Sequence, residues 1–208
     1  LRDVYKRQLT HCYRTTRAIL QFSRSFYRAR LGDDEPDIDL PDDAMLDRMD
    51  EGKPPLPVWL DARQSEAAYA VSLVGSFIKE AAHPGDVLIL HAKGDSVQEL
   101  VKRLRSAYPD TPIANLQNRE LYTGKELRVC ALDAATGLEC PVVILLGTGD
   151  LLSEEDDVLL SEEERADLIR DNTRRLYMAF TRAGTRLIIA LPTAVMEKPW
   201  FVFHAAEQ

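Results

Sequence analysis

The chain has 208 residues, 45% of them hydrophobic and 29% charged, which excludes collagen-like, coiled-coil and wholly disordered architectures and suits one α/β domain. Lys and Arg number 26 against 34 Asp and Glu, a formal charge of −8, so the chain as a whole is no basic nucleic-acid wrapper and any such contact must be local. Three cysteines without a C-x-x-C pair and four scattered histidines argue against a zinc site and for a reducing, cytoplasmic compartment, and no apolar run approaches the roughly 20 residues of a membrane helix.

Residues 1–8 carry no apolar period and read as a non-native or disordered leader, as at the start of a truncated fragment; one α/β domain is expected over 9–192, with 193–208 as a tail. Thr15 or Thr16 is placed to cap a helix whose Ile19, Phe22 and Phe26 recur at helical spacing, and Gly32 is placed to end it. Residues 33–55 are acidic and Pro-containing and read as a solvated surface loop. Strand and helix then alternate: a strand at 56–60, a helix over about 65–83, a strand at 86–91, a helix over about 96–108 and a strand at 112–116. In the first of these helices Ala67, Val71, Val74, Ile78 and Ala81 predict one apolar face. The continuous apolar strands predict a parallel sheet covered on both sides.

Two further strands, 127–132 and 142–146, flank a loop containing Thr136-Gly-Leu-Glu139, and an acidic loop follows to Asp157. Ser161-Glu-Glu-Glu164 predicts a capping box opening a helix with Ala166, Ile169, Thr173, Leu176 and Phe180 inward. A strand at 185–191 closes the sheet. Cys130 and Cys140 read as small buried hydrophobes, Trp59 and Trp200 as packing residues, and His83, before Pro84-Gly85, as helix C-terminus chemistry.

A phosphate loop, Gly-x-x-x-x-Gly-Lys-Ser/Thr, is absent: Gly124-Lys125 is followed by Glu126, and Arg119 stands where the first glycine belongs. The chain by itself is therefore not expected to hydrolyse ATP. Three segments at element boundaries nonetheless carry chemistry: Cys12-Tyr-Arg-Thr15, Thr136-Gly-Leu-Glu139, and Arg174-Arg-Leu-Tyr-Met-Ala-Phe-Thr-Arg-Ala183. In the third, Arg175 and Arg182 lie seven apart on one helix face and offer two guanidinium groups on one side.

In order, spacing and wording these segments resemble the C-terminal motor half of superfamily 1 helicases of the UvrD/Rep type, over nearly the whole chain after Leu9. The resemblance implies a RecA-like domain that lacks the phosphate loop and closes over ATP held by a preceding RecA-like domain of the same polypeptide, which also holds Mg2+. It implies that Tyr13 stacks on adenine, that Glu139 accepts a hydrogen bond from a ribose hydroxyl, and that Gly137 allows a close backbone approach. It implies that Arg14 and Arg182 are catalytic, reaching the γ-phosphate. A guanidinium delivered from a moving domain stabilises the charge spread over the equatorial oxygens of a phosphoryl-transfer transition state.

The departures concern the single-stranded DNA partner. Ala131-Leu-Asp133 stands where the family has Thr-x-His, and Thr136 stands where it has Lys, which removes donors and adds a carboxylate near a phosphate backbone. His91 and Lys93, with Thr136, are the remaining candidate strand contacts. Those departures also keep a second reading open, a degenerate RecA-like module that binds nucleotide or a partner without turnover.

Overall fold

The structure is a computed structural model and describes residues 15–32, 38–61, 65–79, 83–118, 123–201 and 203. Six strands, β1 (Leu56–Leu60), β2 (Val87–His91), β3 (Ile113–Asn115), β4 (Leu127–Ala131), β5 (Cys140–Leu146) and β6 (Ala183–Pro192), form one sheet in the order β1-β6-β5-β2-β4-β3. Every pairing is parallel, with Ile89 opposite Val129 on one side and Ile144 on the other, and Ile144 in turn opposite Ile188. All five residues of β2 are buried, as the unbroken apolar run predicts for a strand covered on both faces.

Helices α3 (Glu66–Lys79) and α4 (Gly94–Ala107) cover one face, packing on Ile89, Val129, Ile144 and Ile188. Helices α1 (Arg17–Leu31), α5 (Thr148–Ser153) and α6 (Glu162–Phe180) cover the other, over Leu88, Val143, Leu145 and Ile189. In α1 the predicted Ile19, Phe22 and Phe26 are all buried. On α3 the buried face is Ala70, Val74 and Gly75, while Ile78 is exposed. The apolar period alone left the face ambiguous by about one position, because α3 is apolar over most of its circumference. The inward stripe of α6 is buried from Thr173 onward, whereas Ala166 is exposed.

Four local expectations are corrected. Thr16 occupies the N-cap of α1 without a side-chain capping bond; the first amides of α1, Arg17 and Ala18, instead donate to the carbonyls of Asp50 and Glu51, each at 2.9 Å. The acidic stretch 33–55 is not wholly solvated, since it contains a short helix α2 (Asp43–Leu46) whose Leu46, with Met49, is buried against Leu20. The second acidic loop likewise contains α5, with Leu151 and Leu152 in the core. His83 caps the turn that follows it rather than ending a helix: its Nδ1 accepts the Gly85 amide at 3.1 Å.

The Ser161–Glu164 capping box is present, and Cys130 and Cys140 are buried, free thiols. Beyond Pro192 the chain still packs on the domain, with Phe201 in the core and Phe203 stacked on Phe22 at 5.0 Å. No helix among the described residues is long and apolar enough to cross a membrane.

Candidate functional site

In a parallel sheet all strands start at one edge and end at the other, and five to seven residues at about 3.3 Å each separate the edges by roughly 17–23 Å. The predicted residues divide between these edges. Glu139 and Arg182 stand where β5 and β6 start, His91 and Lys93 where β2 ends, and Thr136 and Gly137 lie exposed in the loop that returns from one edge to the other. Tyr13 and Arg14 lie outside the described residues.

At the strand-start edge is a cleft of about 430 Å3, within the usual range for small-molecule sites. Thr15 and Thr16 line it from the entrance to α1, Asp50 from the segment between α2 and β1, Glu139, Cys140 and Pro141 from the start of β5, and Gly184 and Thr185 from β6. Hydrogen bonds through the residues on either side of Glu139 tie it to Arg182. The Cys140 amide donates to the Arg182 carbonyl at 3.1 Å, and the Arg182 side chain donates through Nη1 to Leu138 O at 3.4 Å and through Nε to Met178 O at 3.1 Å. Beneath them Arg128, a charged residue inside a buried strand, donates through Nη2 to the carbonyls of Glu139 at 3.1 Å and Gly85 at 3.2 Å. The same nitrogen lies 2.9 Å from Cys140 Sγ. Burial pushes the Cys140 thiol above its usual range, Arg128 opposing, so this sulfur is a neutral wall of the cleft rather than a nucleophile.

The cleft's chemistry fits a polar, hydroxyl-bearing ligand with its charge at one end. Thr15 Oγ1 and Thr16 Oγ1 are shielded from solvent and have no hydrogen-bond partner among the described residues. Asp50 and Glu139 suit hydroxyl donors and repel phosphate, so an anionic group would lie toward Arg182. A Cβ at Gly137 would meet nothing within 4 Å, and what the position requires of glycine is its φ of 78°.

The strand-end edge is different in kind. His91 is 8% exposed; its Nδ1 accepts the Lys93 amide at 3.0 Å, and burial lowers its pKa below the usual value, so it is a neutral ring with the proton on Nε2. It packs against Gly147, where a Cβ would come within 2.7 Å of His91 Cε1. The Gly147 amide donates to Glu66 at 2.6 Å, and burial raises that carboxyl. Lys93 Nζ lies 3.9 Å from Asp150 and 3.7 Å from Glu154. A cleft of about 520 Å3 at this edge is lined by Glu66, Asp150, Asp156, Lys198 and Trp200. Among the described residues no group of three or more His, Cys, Asp or Glu is placed to hold a metal ion.

Arg175 and Arg182 are not presented together on one helix face, because α6 ends at Phe180 and Arg182 lies in the turn beyond it. Arg175 binds Asp133, through Nε to Oδ1 at 3.0 Å and Nη2 to Oδ2 at 3.3 Å, and reaches Ala92 O at 3.4 Å, while Arg182 turns to the strand-start edge.

The chain shares its fold with the C-terminal domain of a possible DNA helicase. A solved structure described as "the C-terminal domain of a possible DNA helicase" from Lactobacillus plantarum WCFS1 superposes with a TM-score of 0.54 at 18% identity, covering 88% of each chain. At that identity the likeness is one of fold, a RecA-like arrangement of a parallel six-stranded sheet between helices. No family model and no curated protein matches the chain.

Sequence reading missed Asp50, Thr185, Arg128 and Glu66. Arg128 had a signal, a lone cation in the apolar run 127–132; Asp50 had none, since an acidic tract does not say which carboxylate turns inward.

Proposed function

We propose that this chain is the C-terminal RecA-like motor domain of an ATP-dependent superfamily 1 DNA helicase or translocase of the UvrD/Rep type, cytoplasmic, and inactive as a hydrolase by itself. In this reading it closes on a preceding RecA-like domain that holds the phosphates and Mg2+, and single-stranded DNA crosses the joined domains. The observation that carries the reading is that Glu139 and the Thr15–Thr16 entrance line one cleft while Arg182 is tied to the residues on either side of Glu139, on a fold shared with the C-terminal domain of a possible DNA helicase. Tyr13 and Arg14 immediately precede Thr15 in the sequence, and in this reading they supply the adenine stacking and a second guanidinium.

The roles follow from the chemistry of each group. Glu139 accepts from a ribose hydroxyl, the threonine hydroxyls complete the polar wall, and Arg182 exchanges its two carbonyl partners for γ-phosphate oxygens when the domains close. A planar, permanently charged donor held only by neutral carbonyls is cheap to redirect toward developing negative charge.

The degenerate-module reading draws on a separate observation: Asp133 and Lys93 are engaged by protein partners of opposite charge. One assay separates the two. With the phosphate-loop domain supplied on the same polypeptide, the motor reading expects ATP hydrolysis stimulated by single-stranded DNA and reduced about 10³- to 10⁵-fold in Arg182→Ala, with circular dichroism unchanged. Full activity in Arg182→Ala refutes the assignment; nucleotide binding without strand stimulation selects the module.

A further inference from the structure

We propose that Asp133 is a positioning residue: through Arg175 it fastens the far end of the β4–β5 loop to α6, so that Glu139 and Arg182 are held in one frame. The role in positioning rests on the nucleotide reading of the cleft; the fastening itself does not. Between β4 and β5 the chain runs from Leu132 to Glu139; within it Ala135 N donates to Leu132 O and Leu138 N to Ala135 O, both at 3.0 Å, and Leu132 and Ala135 are buried in the core. Its near end is tied to the end of α6 by Cys140 N to Arg182 O and by Arg182 Nη1 to Leu138 O. Its far end is tied to the middle of α6 by the two-point Asp133–Arg175 contact. The same guanidinium reaches Ala92 O at the end of β2.

The last turns of α6 from Arg175 to Phe180, about 7.5 Å at 1.5 Å per residue, with Thr181 and Arg182 just beyond them, thus form one side of a closed frame whose opposite side is the loop. A planar guanidinium meeting both carboxylate oxygens fixes direction as well as distance. Half of the pair is well exposed, Asp133 at 75% against 30% for Arg175, so its contribution to global stability is small and its effect is on the placement of the loop. The carboxylate that weakens any grip on a phosphate backbone at this position thereby acquires a different task.

Hydrogen exchange of this chain without nucleotide tests the frame. Asp133→Asn and Arg175→Gln are each expected to speed exchange of the Leu138 and Cys140 amides about two- to fivefold. The double variant should be no faster than either single, and the swap Asp133→Arg with Arg175→Asp should restore the slow rate. Raising salt should speed these amides in the unsubstituted chain and not in the single variants. Unchanged exchange at both amides in both single variants, or additive effects, overturns the proposal. In the assembled ATPase, Asp133→Asn should raise KM for ATP more than it lowers kcat; an unchanged KM overturns the positioning role. Failure of ATP to bind the unsubstituted assembled protein while the exchange pattern holds refutes the nucleotide reading and leaves the fastening intact.

Discussion

Glu66 accepts the Gly147 amide from a largely desolvated position, and burial holds its carboxyl above the usual carboxylate range. A group whose folded pKa exceeds its unfolded value binds protons more tightly when folded, so stability falls as pH rises from the unfolded value through the folded one. Its neighbour His91 has the opposite linkage. Burial depresses it below 6.5, the unfolded chain takes up the proton more readily, and stability falls as pH drops below that value. Glu66→Gln keeps an acceptor for Gly147 and removes the charge, so it should be more stable than the wild type near about pH 7, with the advantage vanishing by about pH 4. His91→Asn keeps an acceptor near Nδ1 and should reduce the loss of stability between about pH 7 and 5. Urea unfolding across this pH series checks both, and parallel curves for wild type and variants would remove Glu66 and His91 as the titrating groups.

Helix α1 meets the turn that follows α5 through an ion pair the core has enclosed. Arg30 and Glu155, with side chains 1% and 5% exposed, are 2.6 Å apart; Arg30 also donates to Thr173 Oγ1 at 2.7 Å and lies over the Trp200 ring at 4.3 Å, while Asn172 donates to Glu155 at 3.0 Å. Removing one partner leaves a desolvated charge, so Glu155→Ala should cost about 3–5 kcal/mol, and adding Arg30→Met should recover much of it. Denaturant midpoints at constant slope measure both, and a small cost for the single change would show that water reaches Arg30. This knot also marks where legibility in the sequence ended. The Ile19, Phe22, Phe26 face and the apolar strands were readable because each repeats at its own period. Helices α2 and α5 were not, because a few buried apolar residues sit inside acidic runs. Arg30 reads as one more surface cation, and Trp200 and Phe201 as a tail, until α1 and α6 supply the partners that bury them. In the candidate site, Glu139 and Arg182 were readable from their segments, whereas their convergence with Asp50 and the support from Arg128 depend on chain crossings that spacing does not encode.

Across the whole molecule, the sheet sets the two candidate chemistries on opposite edges, and the charge of −8 acts unequally on them. The strand-start cleft has Arg182 beside it, but at the strand-end edge the one lysine assigned to nucleic acid is balanced by Asp150 and Glu154 within 3.9 Å. A phosphate backbone arriving there must displace those carboxylates and suffer their repulsion, so the unmodified edge should bind a strand weakly. Neutralising both, as Asp150→Asn with Glu154→Gln, removes like-charge terms of about 1 kcal/mol each at water-like screening. Binding of a fluorescein-labelled oligo-dT, read by anisotropy at low salt, should tighten about three- to tenfold. The gain should fade above about 0.15 M salt, where the screening length is about 8 Å, and should disappear when Lys93→Ala is added. Glu139→Ala, at the other edge, should leave it unchanged, because sites this far apart combine additively. Tightening that persists without Lys93 would assign the effect to the general field of the domain, and no tightening would remove this edge from the strand's path.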